Sequence, residues 1–362
     1  MKWKNNAAAL SLEARDFKIM AQCGMSVGEM LRKERPNQDI PPLWSILSYV
    51  MLQYKTDADN VWYHYRTLQQ MAADTGRWYY TRHIPKANGG LRKLSVPSWP
   101  IVRQQEFIME KILKGLPVSD HAFAYRKGVS IADCAKPHTN RDVLIHLDIR
   151  DFFGSVSEDL VFGMFFRETG YAKSLCRFLA QLCCHRGCLP QGAATSPMLS
   201  NIVFRPCDDA LCRIAEKYHM NYTRYSDDLF FSGDGDLPVK EILKEIRQAL
   251  GAWGFRLNEE KTKVRRRQHR QTVLGMTVNE HLQVSRSYRR KLEQELYYLE
   301  KFGKNARGAA AYGDYLKYMQ QLQGKLAYVL QTDPDNGRLW DAHLKLLLRI
   351  RQYTFLQERG FV

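Results

Sequence analysis

The sequence contains no run of eighteen apolar residues, so composition offers no segment able to cross a membrane as a helix. Its first residues, Met1-Lys2-Trp3-Lys4-Asn5, lack the apolar core of a secretory signal. The 8 cysteines are irregularly spaced along 362 residues. That argues against a disulfide-stapled scaffold and predicts reduced thiols in a cytosol. Cys183-Cys184-His185-Arg186-Gly187-Cys188 resembles part of a zinc site, but no second Cys/His pair follows at suitable spacing, so no metal is expected there. No internal repeat or low-complexity tract is present. Acidic residues are also scarce: Asp+Glu 38 face Lys+Arg 54, a net charge of +16 with pI near 9.4. An imbalance of that size points to a polyanionic partner, of which nucleic acid is the commonest.

What is present is enough chain for two or three subdomains. Residues 1 to about 72 read as helical, with Leu43, Ile46, Leu47, Val50, Met51 and Tyr54, then Val61, Tyr65 and Leu68, at helical spacing after a break at Pro41-Pro42. They carry no recognisable chemistry and suit packing or a partner surface. Residues 79–86 and 91–97 then alternate on either side of Ala87-Asn88-Gly89-Gly90, predicting a β-hairpin. Lys86 and Arg92 flank its turn, and two cations on a mobile hairpin can clamp a triphosphate. A helix is expected from Ile101 to Leu116.

Further on, Arg126 and Lys127 beside Gly128 suit backbone-phosphate contact, and His138 has no neighbouring nucleophile, so it is structural or RNA-contacting. Val143-Leu144-Ile145-His146-Leu147-Asp148-Ile149 reads as a buried strand with Asp148 near its end. A carboxylate there is costly to bury without a ligand or a cap to satisfy. Leu189-Pro190-Gln191-Gly192-Ala193-Ala194-Thr195-Ser196-Pro197 is a loop entering a helix, with Ser196 the expected cap and Pro197 the first helical residue. Asp208 and Asp209 on that helix are expected to be solvated. Tyr225-Ser226-Asp227-Asp228 forms a small, acidic turn between two apolar strand segments. Two adjacent carboxylates repel each other unless a cation sits there. Residues 238–253 read as helix. Residues 261–270 include Lys261, Lys263, Arg265, Arg266, Arg267 and Arg270, and residues 273–278 read as a short strand. From Ser287 the chain is helical, and Arg286, Arg289, Arg290 and Lys291 at its opening suit a nucleic-acid backbone.

Asp148, Asp227 and Asp228 together could hold two Mg²⁺ ions, one activating a hydroxyl and the other stabilising departing pyrophosphate. Phosphoryl transfer asks little more of a protein than such positioning and charge.

In order, Leu147-Asp148-Ile149-Arg150-Asp151-Phe152-Phe153, the loop 189–197 and Tyr225-Ser226-Asp227-Asp228 resemble the palm motifs of reverse transcriptases, in the bacterial branch of retron and group II intron enzymes. The resemblance runs from about Tyr79 to Pro334. It implies an α+β right-hand polymerase fold with a helical extension (1–72), fingers with part of the palm (73–140), a palm (141–284, with a fingers insertion at 155–190) and a helical thumb (285–362). It implies a metal-binding catalytic triad of Asp148, Asp227 and Asp228, with the Ile149 carbonyl as a further metal ligand. Lys86 and Arg92 resemble the contacts to the incoming dNTP, Gln191 and Gly192 border nucleotide and template, and Lys261 corresponds to a lysine near the nucleotide phosphates. Phe153 stands at the steric-gate position, where a bulky ring clashes with a ribose 2′-OH and so selects dNTPs. Val273-Leu274-Gly275 resembles the primer-grip hairpin. Arg126, Lys127, His138, Arg265, Arg266, Arg267, Gly275, Arg289 and Arg290 are the expected nucleic-acid contacts.

Within that branch, Cys134-Ala135-Lys136-Pro137-His138 resembles the retron signature Asn-Ala-x-x-His with Cys134 in place of asparagine. Val273-Leu274-Gly275 resembles Val-Thr-Gly with Leu274 in place of threonine. Only 28 residues follow Pro334, whereas a group II intron protein normally continues into a maturase region. The retron resemblance implies a bacterial cytoplasmic enzyme that binds its own structured non-coding RNA. It primes from the 2′-OH of an internal guanosine and makes multicopy single-stranded DNA, used against phage with a separate effector protein. Another defence-type or group II intron-like reverse transcriptase stays open as a reading. So does a catalytically inactive RNA-binding scaffold, although such a scaffold is expected to have lost one of the three aspartates.

Overall fold

The computed structural model describes residues 46, 49–50, 53–55, 61–85, 89–306 and 314–359. Of the expected site residues, Lys86 lies outside the described residues, as does most of the segment before residue 61.

Helix α1 (Val61–Ala73) buries Tyr65 and Leu68 of the apolar spacing noted above, together with Met71 and Ala72. Strands β1 (Tyr79–Pro85) and β2 (Leu91–Pro97) pair antiparallel in register from Tyr79↔Pro97 to Pro85↔Leu91. The hairpin is largely solvent-exposed, and Gly89 and Gly90 take φ of 81° and 80°, which a side chain would oppose. Helix α2 (Trp99–Lys111) follows, with Pro100 in its first turn. Short helix α3 (Ile131–Ala135) starts at a capping box in which the Ser130 hydroxyl and Asp133 carboxylate each satisfy the other's backbone N–H.

Strand β3 (Val143–Asp148) leads to the turn-length helix α4 (Phe152–Ser155). Helices α5 (Glu158–Thr169), α6 (Lys173–Cys183) and α7 (Ser196–Lys217) come next. Strands β4 (Asn221–Tyr225) and β5 (Asp228–Gly233) form a hairpin, followed by helix α8 (Val239–Ala252) and strand β6 (Lys263–Arg266). Residues 272–277 form two tiny strands, β7 (Thr272–Val273) and β8 (Met276–Thr277). This hairpin replaces the single short strand expected over 273–278, because Leu274 and Gly275 both adopt positive φ, 49° and 86°, and reverse the chain. Among the described residues, helices α9 (Arg286–Phe302), α10 (Tyr315–Leu330) and α11 (Gly337–Glu358) follow.

The chain forms two interleaved compact units. One comprises Met1–Tyr125, Ile149–Leu211 and Ile246–Leu257. Its core gathers the rings of Phe152, Phe204 and Phe255, with centroids 4.8–6.0 Å apart, and the buried face of α6. The other comprises Arg126–Asp148, Cys212–Glu245 and Asn258–Val362. It contains a four-stranded antiparallel sheet in the order β4-β5-β3-β6 and an apolar cluster shared by α9, α10 and α11, including Leu292, Leu299, Met319, Leu322, Leu326, Leu339 and Leu346. Helices and antiparallel sheet in this mixture are the α+β class of the right-hand polymerases.

Two further local expectations need correction. Ser196 is the first residue of α7, and the Thr195 carbonyl accepts the Leu199 N–H, so the helix starts one residue earlier than a Ser196 cap would allow. Asp208 is fully buried, while Asp209 is exposed as expected. Helical geometry turns neighbouring positions about 100° apart, so a pair of adjacent aspartates cannot share one environment.

Candidate active site

The sheet of the second unit carries the acidic residues. Because β3 and β5 pair with Asp148 opposite Asp228, the two carboxylates sit on adjacent strands at one end of the sheet. Asp227 lies in the two-residue loop between Tyr225 and Asp228, which are themselves paired. That loop requires a positive φ, and Ser226 supplies it at 59°. The Arg224 guanidinium, fully buried, donates from Nη1 to the Ser226 carbonyl and braces the turn from beneath. The expected carboxylate trio is therefore brought together, by one strand pairing and one turn.

Each carboxylate has a distinct environment. Asp148 is buried and accepts from Lys261 Nζ at 2.7 Å. Asp228 accepts from His146 Nε2 at 2.7 Å, and the His146 ring stacks on Phe230 with centroids 4.6 Å apart. The Asp227 carboxyl is raised above its ordinary value, first by burial and then by the charges of Asp228 and Asp148. Lys261 is raised by its bond to Asp148 and by the same cluster of negative charge. Among the described residues, no group of three or more His, Cys, Asp and Glu is already arranged to hold a metal ion, at the aspartates or at Cys183–His185–Cys188. The donor chemistry nevertheless suits a hard divalent cation: three carboxylates lie together and repel one another, with Lys261 bonded to Asp148 and His146 to Asp228.

His138 is not a nucleic-acid contact in this structure. It is fully buried and bonds Ser232 through Nδ1 at 2.7 Å and Thr223 through Nε2 at 2.8 Å. The Thr223 hydroxyl donates its single proton to the Cys134 carbonyl, so it accepts from Nε2–H, and Nδ1 accepts from Ser232. Burial, aided by the Arg141 charge, pushes the imidazole down to about 3. Neutral His138 thus ties both strands of the Asp227–Asp228 hairpin to the segment after α3. Cys134 packs in the same network, its Sγ 3.3 Å from Thr223 Oγ1.

The other unit holds the remaining expected nucleotide contacts. The Ser95 N–H of β2 donates to the Gln191 carbonyl at 2.9 Å, docking the loop on the hairpin. Gly192 has φ 122°, and a Cβ there would lie 3.0 Å from the Ser95 carbonyl, so the approach of the two backbones demands glycine. Arg92 is exposed on the same hairpin. Phe153 is half-buried in α4, its ring 6.4 Å from that of Tyr125.

The basic residues divide by what already engages them. Arg266 pairs with Asp236, Arg267 with Asp142, and Arg289 with Asp333 and Glu293. Lys127, Arg265 and Arg290 are exposed, Arg126 is half-buried, and Gly275 is exposed in the β7–β8 turn. Sequence reasoning passed over His146 and Arg224. The signal for His146 was available, since residues two apart on a strand share a face and 146 precedes Asp148 by two. The burial of Arg224 had no local signal.

Among the described residues, no helix is long and apolar enough to cross a membrane. A reverse transcriptase (RNA-dependent DNA polymerase) family model matches residues 84–278, more than half the chain. The chain is 34% identical over 280 residues to the retron Mx65 reverse transcriptase of Myxococcus xanthus, covering 72% of this chain and 63% of that protein. It is 30% identical over 305 residues to the retron Mx162 reverse transcriptase of the same organism, covering 75% and 61%. The Escherichia coli retron Ec86 reverse transcriptase is 25% identical over 249 residues, covering 68% and 74%. The chain therefore spans a little over three fifths of the two Myxococcus relatives. With the ordered motifs, the paired Asp148 and Asp228, and a match of this extent, the chain belongs to the reverse transcriptase family, whose members use divalent metal ions and an RNA template.

Proposed function

We propose that this chain is the RNA-directed DNA polymerase of a retron. It copies a cognate structured non-coding RNA into multicopy single-stranded DNA, priming from an RNA 2′-OH, in the bacterial cytoplasm and in defence against phage with a separate effector protein. The observation that carries this reading is the cross-strand pair Asp148–Asp228 with Asp227 beside it, in a chain similar in sequence to retron reverse transcriptases. Two Mg²⁺ ions are the proposed cofactor. Asp148, Asp227, Asp228 and the Ile149 carbonyl would hold them, and the chemistry supplied there would be acidification of the attacking hydroxyl and compensation of the charge of departing pyrophosphate.

The chain's own residues bind and orient the substrates. Lys261, which neutralises Asp148 here, is proposed to move its charge to the dNTP phosphates when nucleotide enters. Lys86 and Arg92 are proposed to contact the triphosphate, Gln191 and Gly192 to border nucleotide and template, and Phe153 to exclude the ribose 2′-OH. The helical extension, fingers, palm and thumb are proposed at 1–72, 73–140, 141–284 and 285–362. Arg126, Lys127, Arg265, Arg290 and Gly275 remain proposed contacts to RNA or its DNA copy. Arg266, Arg267 and Arg289 are proposed to contribute only when they release their acidic partners.

Primer extension on an RNA template with dNTPs and Mg²⁺ tests the activity, and absence of synthesis over a broad range of conditions rejects it. The co-purifying nucleic acid tests the retron assignment. A short DNA joined to RNA through a debranching-sensitive 2′–5′ link supports it, and random or protein-primed DNA rejects it.

A further inference from the structure

The face of the sheet that bears Asp148 and Asp228 continues away from them in two further rows. Strand pairing sets Phe230, His146 and Lys263 side by side, and then Ser232, Leu144 and Arg265. Leu144, His146, Asp228, Phe230, Lys263 and Arg265, closed over by Thr272, Leu274 and Gly275, line a pocket of about 180 Å³. All of these residues belong to the second unit. One wall is the Asp228 carboxylate, steadied by His146. The opposite wall is cationic.

The two cations differ from their neighbours in the basic run. Lys261, Arg266 and Arg267 are each neutralised by an aspartate of the chain, Asp148, Asp236 and Asp142. Among the described residues, Lys263 and Arg265 make no ion pair. Strand alternation turns these two toward the pocket and turns Val264 and Arg266 away. A concave site with two uncompensated cations attracts an anion, and both lysine and arginine are suited to phosphate. The volume accommodates one phosphodiester with part of its sugar.

We propose that this pocket receives the 3′-phosphate of a priming ribonucleotide whose 2′-hydroxyl is the nucleophile. The proposal rests on the reading of the chain as a polymerase that primes from RNA 2′-OH. An ordinary primer ends in a free 3′-OH and presents no phosphate on that side. A nucleotide inside an RNA chain keeps a phosphodiester on the carbon adjacent to its nucleophile, and that negative charge must come close to three carboxylates. Without local cations it would be repelled. Lys263 and Arg265 supply the compensation one and two rows from Asp228. In the reaction, the 2′-oxygen bonds to the α-phosphorus of the dNTP and the bond from that phosphorus to the bridging oxygen breaks. Pyrophosphate leaves with the electron pair, the hydroxyl proton is released, and the 3′-phosphate is unchanged. Lys263 and Arg265 are thus binding and orienting groups.

The test uses the full chain and two RNAs that end at the priming guanosine, with the template strand supplied separately. One RNA has a 2′-OH and a 3′-phosphate; the other has a 2′-OH and a 3′-hydrogen. The readout is the ratio of their kcat/KM values for 2′-linked DNA synthesis. Wild type is expected to favour the 3′-phosphate RNA at least tenfold, chiefly through KM. In Lys263→Gln and in the Lys263→Gln/Arg265→Gln double variant, the ratio is expected to fall toward one, and Lys263→Arg is expected to restore it. Each variant is its own control, because a loss of folded protein lowers both rates equally. A ratio near one in wild type, or an unchanged preference in the double variant, overturns the proposal. If wild type extends an annealed DNA primer from its 3′-OH but makes no 2′-linked product from either RNA, the 2′-priming reading falls and the proposal falls with it.

Discussion

Lowering the pH from 7 to 5 should destabilise this protein through one buried side chain, His138. In the unfolded chain its imidazole protonates near the ordinary value of 6.5, whereas in the fold it protonates only near 3. Between those values the unfolded state binds a proton that the folded state refuses, so stability falls as pH falls. The linkage relation with these two values makes the loss about 2 kcal/mol between pH 7 and pH 5. The structural cause is the network in which Nε2 donates to Thr223 and Nδ1 accepts from Ser232; a second ring proton would break the latter bond and bury an uncompensated charge. Urea titrations of wild type and His138→Gln at pH 7 and pH 5 isolate the effect, because the other titrating groups are common to both. The variant should be less stable at pH 7 but should lose about 2 kcal/mol less on acidification than wild type. An identical pH dependence in the two proteins, or a His138 resonance titrating near 6.5 in the folded chain, refutes the reasoning.

Asp227→Asn should abolish DNA synthesis while leaving RNA affinity, measured by filter binding, largely intact; full activity would refute a metal role. Phe153→Ala should raise ribonucleotide incorporation relative to dNTPs by about tenfold or more, the scale on which a steric contact worth a few kcal/mol discriminates, and unchanged sugar selectivity would rule out a gate at this ring. Gly192→Ala forces a side chain into a positive φ beside the Ser95 carbonyl, so a loss of about 1–3 kcal/mol is expected by thermal melting. A wild-type melting curve would show that the loop relaxes freely.

Much of the candidate site was legible locally. The turn holding Asp227, the strand end holding Asp148 and the β1–β2 hairpin all announce themselves through alternation and turn residues, which act over a few positions. The same local view did not reveal the burial of Asp208, His138 and Arg224, which depends on segments distant in sequence. It also passed over the bond from His146 to Asp228, which exists only because β3 pairs with β5 in this register.

The sequence by itself determined the elements, the basic character and the identity of the acidic trio, because periodicity, charge and motif order are written in neighbouring residues. Only the tertiary structure decided which cations are spent on the chain's own aspartates and which, Lys263 and Arg265, are left facing a pocket. It also decided that His138 braces the Asp227–Asp228 hairpin from within. The physical reason is that an ion pair or a buried hydrogen bond needs two groups within about 3 Å, and chain folding alone brings residues 138, 223 and 232 to that distance.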